Sequence, residues 1–210
     1  MDKNRILVLS PHTDDGELGC GATLNKFINE GKEVIYVAFS TCEESVPEGF
    51  PRNILSIEVK KATNELGIKE ENLIIKNYPV RHFPQYRQPI LEDLVKLNRE
   101  LKPDLVFVPS SFDIHQDHKT IYEEAIRAFK KTSILGYEFM WNNFSFSSAL
   151  FSVVNEENIL AKIRAMDKYE SQSHRFYARE KLIKGLATYR GLQISEEYAE
   201  AFEVIRWILR

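Results

Sequence analysis

In the first half of the chain, short unbroken apolar runs alternate with stretches whose apolar residues recur every three or four positions. Ile6–Leu9 is continuous rather than alternating, the mark of a strand buried on both faces. Positions 18–29 place Leu24, Phe27 and Ile28 on one side with Gly31 just beyond, and predict a helix. Val34–Phe39 reads as a second buried strand. A helix follows over 53–66, with Leu55, Val59, Ala62 and Leu66 on one face and Gly67 as its stop. A third strand is predicted at 73–75, a helix over 90–101 ended by Pro103, a fourth strand at 105–108 and a helix over 118–129. Repeated this way, the pattern predicts an α/β fold: a doubly wound, mostly parallel sheet flanked by helices, Rossmann-like.

The second half is less regular. Positions 144–154 read as strand, 156–169 and 175–187 as helices, and 202–209 as a last strand. No linker rich in Gly, Pro or Ser interrupts the chain, so a single domain over 1–210 is expected. The stretch 41–51, with Glu43, Glu44, Pro47, Gly49 and Pro51, reads as a long loop at a strand's carboxyl end, either a lid or plain surface.

Composition narrows the function classes. A formal net charge of −3 offers no basic excess for a nucleic-acid partner. No apolar run approaches the roughly 18 residues of a membrane span. Ser10, Pro11 and His12 stop the first run too early for a secretion signal. Cys20 and Cys42 cannot build a disulfide framework, so a reducing, cytoplasmic setting is expected.

Candidate chemistry collects in two strand-to-helix loops. Ser10-Pro11-His12-Thr13-Asp14-Asp15 follows the first strand, and Asp113-Ile114-His115-Gln116-Asp117-His118 follows the fourth. If strands one and four are neighbours, the two loops face each other across the crevice at the switch point of the sheet. Imidazoles with carboxylates and no thiolate suit a catalytic zinc with three protein ligands and a water, although Fe(II) or another divalent ion takes the same donors. One carboxylate must stay off the metal to take the proton from that water. Taken singly, each loop has a plainer reading, a surface histidine or an Asp pair capping a helix.

The stretch Pro11-His12-Thr13-Asp14-Asp15-Gly16-Glu17-Leu18-Gly19-Cys20-Gly21 and the pair His115-Gln116-Asp117-His118 resemble the signatures of PIG-L/LmbE-type N-acetyl-sugar deacetylases. The likeness extends to Glu58, Leu66-Gly67, Ser171-Gln172 and Tyr198–Phe202. It implies zinc-dependent removal of the acetyl group from a glucosamine-like sugar conjugate, with His12, Asp15 and His118 as metal ligands. It further implies Asp14 as the general base, His115 as oxyanion stabiliser or proton donor to the amine, and Asp117 as the acid that orients a histidine. Glu17, Arg52, Gln172 and Arg190 become candidate substrate contacts, and a homo-oligomer is implied by the resemblance alone.

Three departures stand out. Thr13 replaces the family's usual proline, Gly16 shifts the acidic residue to Glu17, and Leu55 occupies a position where many relatives carry arginine; Arg52, one turn earlier, is the substitute considered. Two rival functions remain. A nucleotide-binding domain is suggested by Gly19-Cys20-Gly21, but Leu24 stands where the third glycine of the fingerprint belongs. A catalytically idle metal-binding scaffold of the same fold is opposed by retention of all six polar positions. The aromatic-basic cluster Tyr78 to Arg87 and the group Arg175, Tyr177, Arg179 and Arg190 are read as solvated loop and helix surface, with an anion-binding role as the sharper alternative.

Overall fold

The computed structural model describes residues 4–209. In chain order its elements are β1 (Arg5–Ser10), α1 (Asp15–Asn29), β2 (Glu33–Ala38), α2 (Ile54–Glu65), β3 (Leu73–Ile75), α3 (Arg87–Leu101), β4 (Leu105–Pro109), α4 (Gln116–Ala128), β5 (Ser133–Tyr137), β6 (Leu150–Val154), α5 (Glu156–Met166), α6 (Glu180–Leu192) and β7 (Tyr198–Arg206). One seven-stranded sheet runs β3-β2-β1-β4-β5-β7-β6. The pairs from β3 to β5 are all parallel, and β7 lies antiparallel between β5 and β6.

The unbroken apolar strands are explained by burial on both faces. Along β1, Ile6 and Val8 pack beneath Leu24 of α1, Val59 of α2 and Ile159 of α5. Leu7 and Leu9 point the other way, toward Ile90 and Leu94 of α3 and Ile121 and Ala125 of α4. The period of two in the strands therefore separates two apolar layers, one per sheet face. Because β1 sits between β2 and β4, its carboxyl end is the switch point, and the loops after β1 and β4 meet there.

The second half departs from expectation in four places. β5 was not anticipated: Ser133–Tyr137 is buried at every position, so it carries no polar alternation, and it pairs along its length with β4. The strand expected over 144–154 contracts to β6, with Phe144 left 87% exposed. The helix expected over 175–187 starts later, as α6, after short 3-10 turns at Glu170–Gln172 and Phe176–Ala178. β7 begins before Phe202 because Glu200, polar in the sequence, is buried against Lys162 at 2.7 Å.

Helix α1 is two helical pieces joined at Cys20, whose backbone is non-helical (φ −147, ψ 16). The break leaves the following amides short of carbonyl partners, and Glu200 on β7 accepts from both Ala22 (3.3 Å) and Thr23 (2.7 Å). The glycines let α1 approach the sheet. A Cβ on Gly16 would stand 2.5 Å from the Tyr36 ring, and one on Gly19 would stand 2.4 Å from Tyr137.

Candidate active site

Two folded loops present the polar cluster. In the first, the Ser10 hydroxyl donates to the His12 carbonyl (2.5 Å), and the His12 amide donates to Asp15 Oδ2 (2.7 Å). That turn leads directly into α1, with Asp14 at its cap position but making no side-chain capping bond. In the second, Asp113 Oδ1 accepts from the His115 amide (2.8 Å), an Asx turn, and His115 caps α4 by accepting from the Asp117 amide at Nδ1 (3.2 Å).

Each of two histidines is gripped by its own carboxylate. His12 Nε2 lies 3.0 Å from Asp117 Oδ2, and His118 Nδ1 lies 2.7 Å from Asp113 Oδ2. A carboxylate only accepts, so these ring nitrogens carry the hydrogens and turn the other nitrogens, His12 Nδ1 and His118 Nε2, into lone-pair donors. Those two atoms are 3.3 Å apart. Asp15 Oδ2 stands 3.1 Å from the first and 3.2 Å from the second. Asp117 is held further by the amides of Arg81 (2.6 Å) and Phe83 (3.2 Å). Arg81 takes a left-handed backbone (φ 70) in the turn that delivers its amide.

Three donor atoms thus converge: with no ion between them, protons on the imidazoles bridge them to Asp15, and a bound cation would take the place of those protons. Tetrahedral zinc with bonds of about 2.0–2.1 Å holds its ligand atoms about 3.3 Å apart, and the triangle matches that spacing. The imidazoles of His12, His115 and His118 also lie within 4.8 Å of one another. The Asp15-containing triangle is tighter and includes an anion, so it is the better ligand set. His115 is further disfavoured as a ligand because its Nδ1 is occupied as a helix cap.

Charge coupling follows the geometry. Burial alone would depress His12 and His118, but Asp15 and the carboxylates behind them raise His12 to about 8 and His118 to about 10. Asp15 is held well below the usual carboxylate range, its burial overcome by the charges of His118 and His12. His115 goes the other way, to about 4, through burial and the neighbouring His118 and His12. Asp14 is raised to about 6 by burial and by Asp15, against the pull of Arg175 and His12.

These groups open onto a cavity of about 370 Å³, lined also by Arg81, Gln116, Trp141, Asn142, Gln172, Arg175 and Tyr177. Of the expected substrate contacts, Gln172 lines this cavity. Its turn is fastened by buried Glu58, which accepts from the Ser171 amide (2.9 Å) and hydroxyl (2.5 Å).

The other three stand elsewhere. Glu17 is fully buried, its carboxyl bonded to the Tyr36 and Tyr169 hydroxyls, so it supports the loop from behind. Arg52 is exposed and lines an adjoining hollow with Thr41, Glu43 and Glu44. Arg190 is buried in a two-pronged ion pair with Glu138 (2.5 and 3.0 Å), behind the cavity wall. Sequence reasoning placed Arg175 on a solvated surface, whereas it reaches the cavity. It also left Asp113 without a role, although the Asp-x-His spacing is an Asx-turn signal.

The family model described as PIG-L, GlcNAc-PI de-N-acetylase, matches residues 7–129. The chain belongs to the PIG-L family. An Escherichia coli (strain K12) protein described as the uncharacterized deacetylase YaiS is 29% identical over 171 residues, covering 79% of this chain and 90% of that one. Diacetylchitobiose deacetylase of Thermococcus kodakarensis is 21% identical, covering 97% of this chain and 84% of that protein. Among solved structures, the N,N'-diacetylchitobiose deacetylase of Pyrococcus horikoshii, complexed with an inhibitor, superposes with a TM-score of 0.82 at 22% identity, covering 97% of this chain and 84% of that one. As a PIG-L member the chain is a deacetylase homologue with a mostly parallel α/β sheet, and among the described residues no helix is long and apolar enough to cross a membrane.

Proposed function

We propose that this single-domain chain is a divalent-metal-dependent amidohydrolase that removes the acetyl group from an N-acetylated amino sugar conjugate. The observation that carries the reading is the triangle of His12 Nδ1, Asp15 Oδ2 and His118 Nε2, with edges of 3.1–3.3 Å, beside a carboxylate that makes no capping bond. The donor set fits zinc, and Fe(II) or another divalent ion could use it too. When bound, such an ion polarises the amide carbonyl and lowers the pKa of water.

The remaining work belongs to the chain. Asp113 and Asp117 fix the tautomers and directions of His118 and His12. Asp14 takes a proton from the attacking water as its oxygen adds to the acetamide carbon. His115 is neutral, and with Nδ1 engaged at the helix cap its Nε2–H is the donor for the oxyanion. The same neutrality removes His115 as the proton source for the amine. Asp14, protonated in the first half, hands that proton to the leaving nitrogen as the carbon–nitrogen bond breaks. Acetate and the free amino sugar result.

Elemental analysis of the purified chain tests the ligand set. About one equivalent of divalent metal is expected in the native protein and little in His118→Ala. Native protein that stays metal-free after dialysis against zinc would contradict it.

A further inference from the structure

Behind the first catalytic loop lies a buried cluster of hydroxyls to which the reaction above gives no part. Asp14 makes no capping bond, so the direction of its carboxylate follows from the backbone on which it stands. The peptide that joins it to Thr13 is planar, and fixing the Thr13 carbonyl fixes that plane. Two hydroxyls reach this carbonyl: Tyr36 of β2 at 2.9 Å, and Tyr169, just beyond α5, at 2.7 Å. Thr13, Tyr36 and Tyr169 are each no more than 2% exposed, so bulk water does not stand in for either hydroxyl.

The two tyrosines are not equivalent, because a phenol has one hydrogen to give. That of Tyr36 is claimed by Ser10 Oγ (2.9 Å) and by Glu17 as well as by Thr13, while its oxygen accepts from the Gly16 amide (3.0 Å). The Ser10 hydroxyl gives no relief, since its hydrogen goes to the His12 carbonyl. Tyr169 faces two oxygens, the Thr13 carbonyl and Glu17 Oε1 (2.9 Å), and the carbonyl is the nearer. A carbonyl only accepts, so the hydrogen between Tyr169 and Thr13 belongs to Tyr169.

Tyr169 also opens a turn that builds part of the cavity wall. Its own carbonyl accepts from the Gln172 amide (2.9 Å), Ser171 is fastened to buried Glu58, and Gln172 lines the cavity. One hydroxyl thus ties the loop of the base to a wall of the cavity that the base serves.

We propose that Tyr169 is a positioning residue of the reaction, whose hydroxyl holds the Thr13 carbonyl and thereby aims the Asp14 carboxylate at the attacking water. The inference rests on the amidohydrolase reading and adds to it a residue that touches neither metal nor substrate.

The test is Tyr169→Phe, which keeps the buried ring and removes one oxygen, assayed by acetate release from N-acetylglucosamine and from N,N'-diacetylchitobiose. A base displaced by a fraction of an ångström is expected to lower kcat about 10- to 100-fold, with KM and metal content within about twofold of native. In the Asp14→Asn background the same substitution should change the residual rate by less than about twofold, because no base is left to aim. Replacing Tyr169 by 4-aminophenylalanine puts an N–H donor back against Thr13 and should bring kcat to within about threefold of native.

A kcat close to native in Tyr169→Phe would overturn the proposal. So would an equal loss with and without Asp14, a loss that 4-aminophenylalanine leaves unrepaired, or a Tyr169→Phe chain that does not fold, each of which would make the hydroxyl structural only. Failure of the underlying reading looks different: the native chain itself then releases no acetate from either sugar, and this inference falls with it.

Discussion

Asp14→Asn is expected to retain metal and lose about 10²- to 10⁴-fold in kcat. The two adjacent aspartates have separate environments: Asp15 turns back onto the His12 amide and the two imidazoles, whereas Asp14 faces the cavity without capping its helix. Asparagine preserves the shape of the loop but cannot take a proton. The same residue sets the acid limb of the pH profile. With its pKa raised to about 6 by burial and Asp15, Asp14 is a base above that value and is protonated below it. Native kcat should therefore fall as pH drops through about 6, or somewhat lower once a bound cation favours the carboxylate. The variant's residual rate should lack that limb. A near-native rate in Asp14→Asn, with metal content measured in parallel, would remove Asp14 from the mechanism.

The second large effect is on stability. Glu200 and Lys162 are an ion pair 2.7 Å apart, exposed by only 7% and 5%. Glu200 also closes the amides of Ala22 and Thr23 left open by the break in α1. Glu200→Ala strands a buried ammonium and two amides, a loss of about 3–5 kcal/mol and a Tm lowered by roughly 6–20 °C. Pairing Glu200→Leu with Lys162→Met should recover part of this, since the unpaired charge is gone while the amides remain open. Thermal and urea denaturation decide the matter; a Glu200→Ala protein within about 1 kcal/mol of the native one would show that the buried pair contributes little. The link to function is direct, because the first piece of α1 begins at Asp15 and directly follows Asp14.

What was legible beforehand divides along the same line between local and long-range causes. Strands with both faces buried are continuous apolar runs, so β1, β2 and β4 could be read, and their order brought the two histidine–aspartate loops together. β5 escaped because Ser133 and Gly136, the latter packed against Ser110, break its apolar run, and because it follows a lysine pair. Glu200 lies outside the last strand expected over 202–209, and only its partners on α1 and α5 reveal that it is buried. Glu17 and Arg190 are candidate substrate contacts only through the family resemblance, and each is held by a partner distant in sequence: Tyr169 for one, Glu138 for the other. Arg175 is read onto a solvated helix face because a helix is expected over 175–187, whereas it precedes a short 3-10 turn, which gives no periodic signal by which to orient it. His115 shows local logic of another kind: the spacing that caps α4 with its Nδ1 also decides which hydrogen it offers to the cavity.

The most direct measurement is acetate release from an N-acetylated amino sugar by the metal-loaded chain, repeated after chelation and again after adding zinc or Fe(II). The account predicts acetate and free amine in equal amounts, abolished by chelation and restored by the metal. Metal-loaded protein that binds such sugars yet releases no acetate, or release that persists undiminished after chelation, would contradict it; the first result would make the chain an idle scaffold.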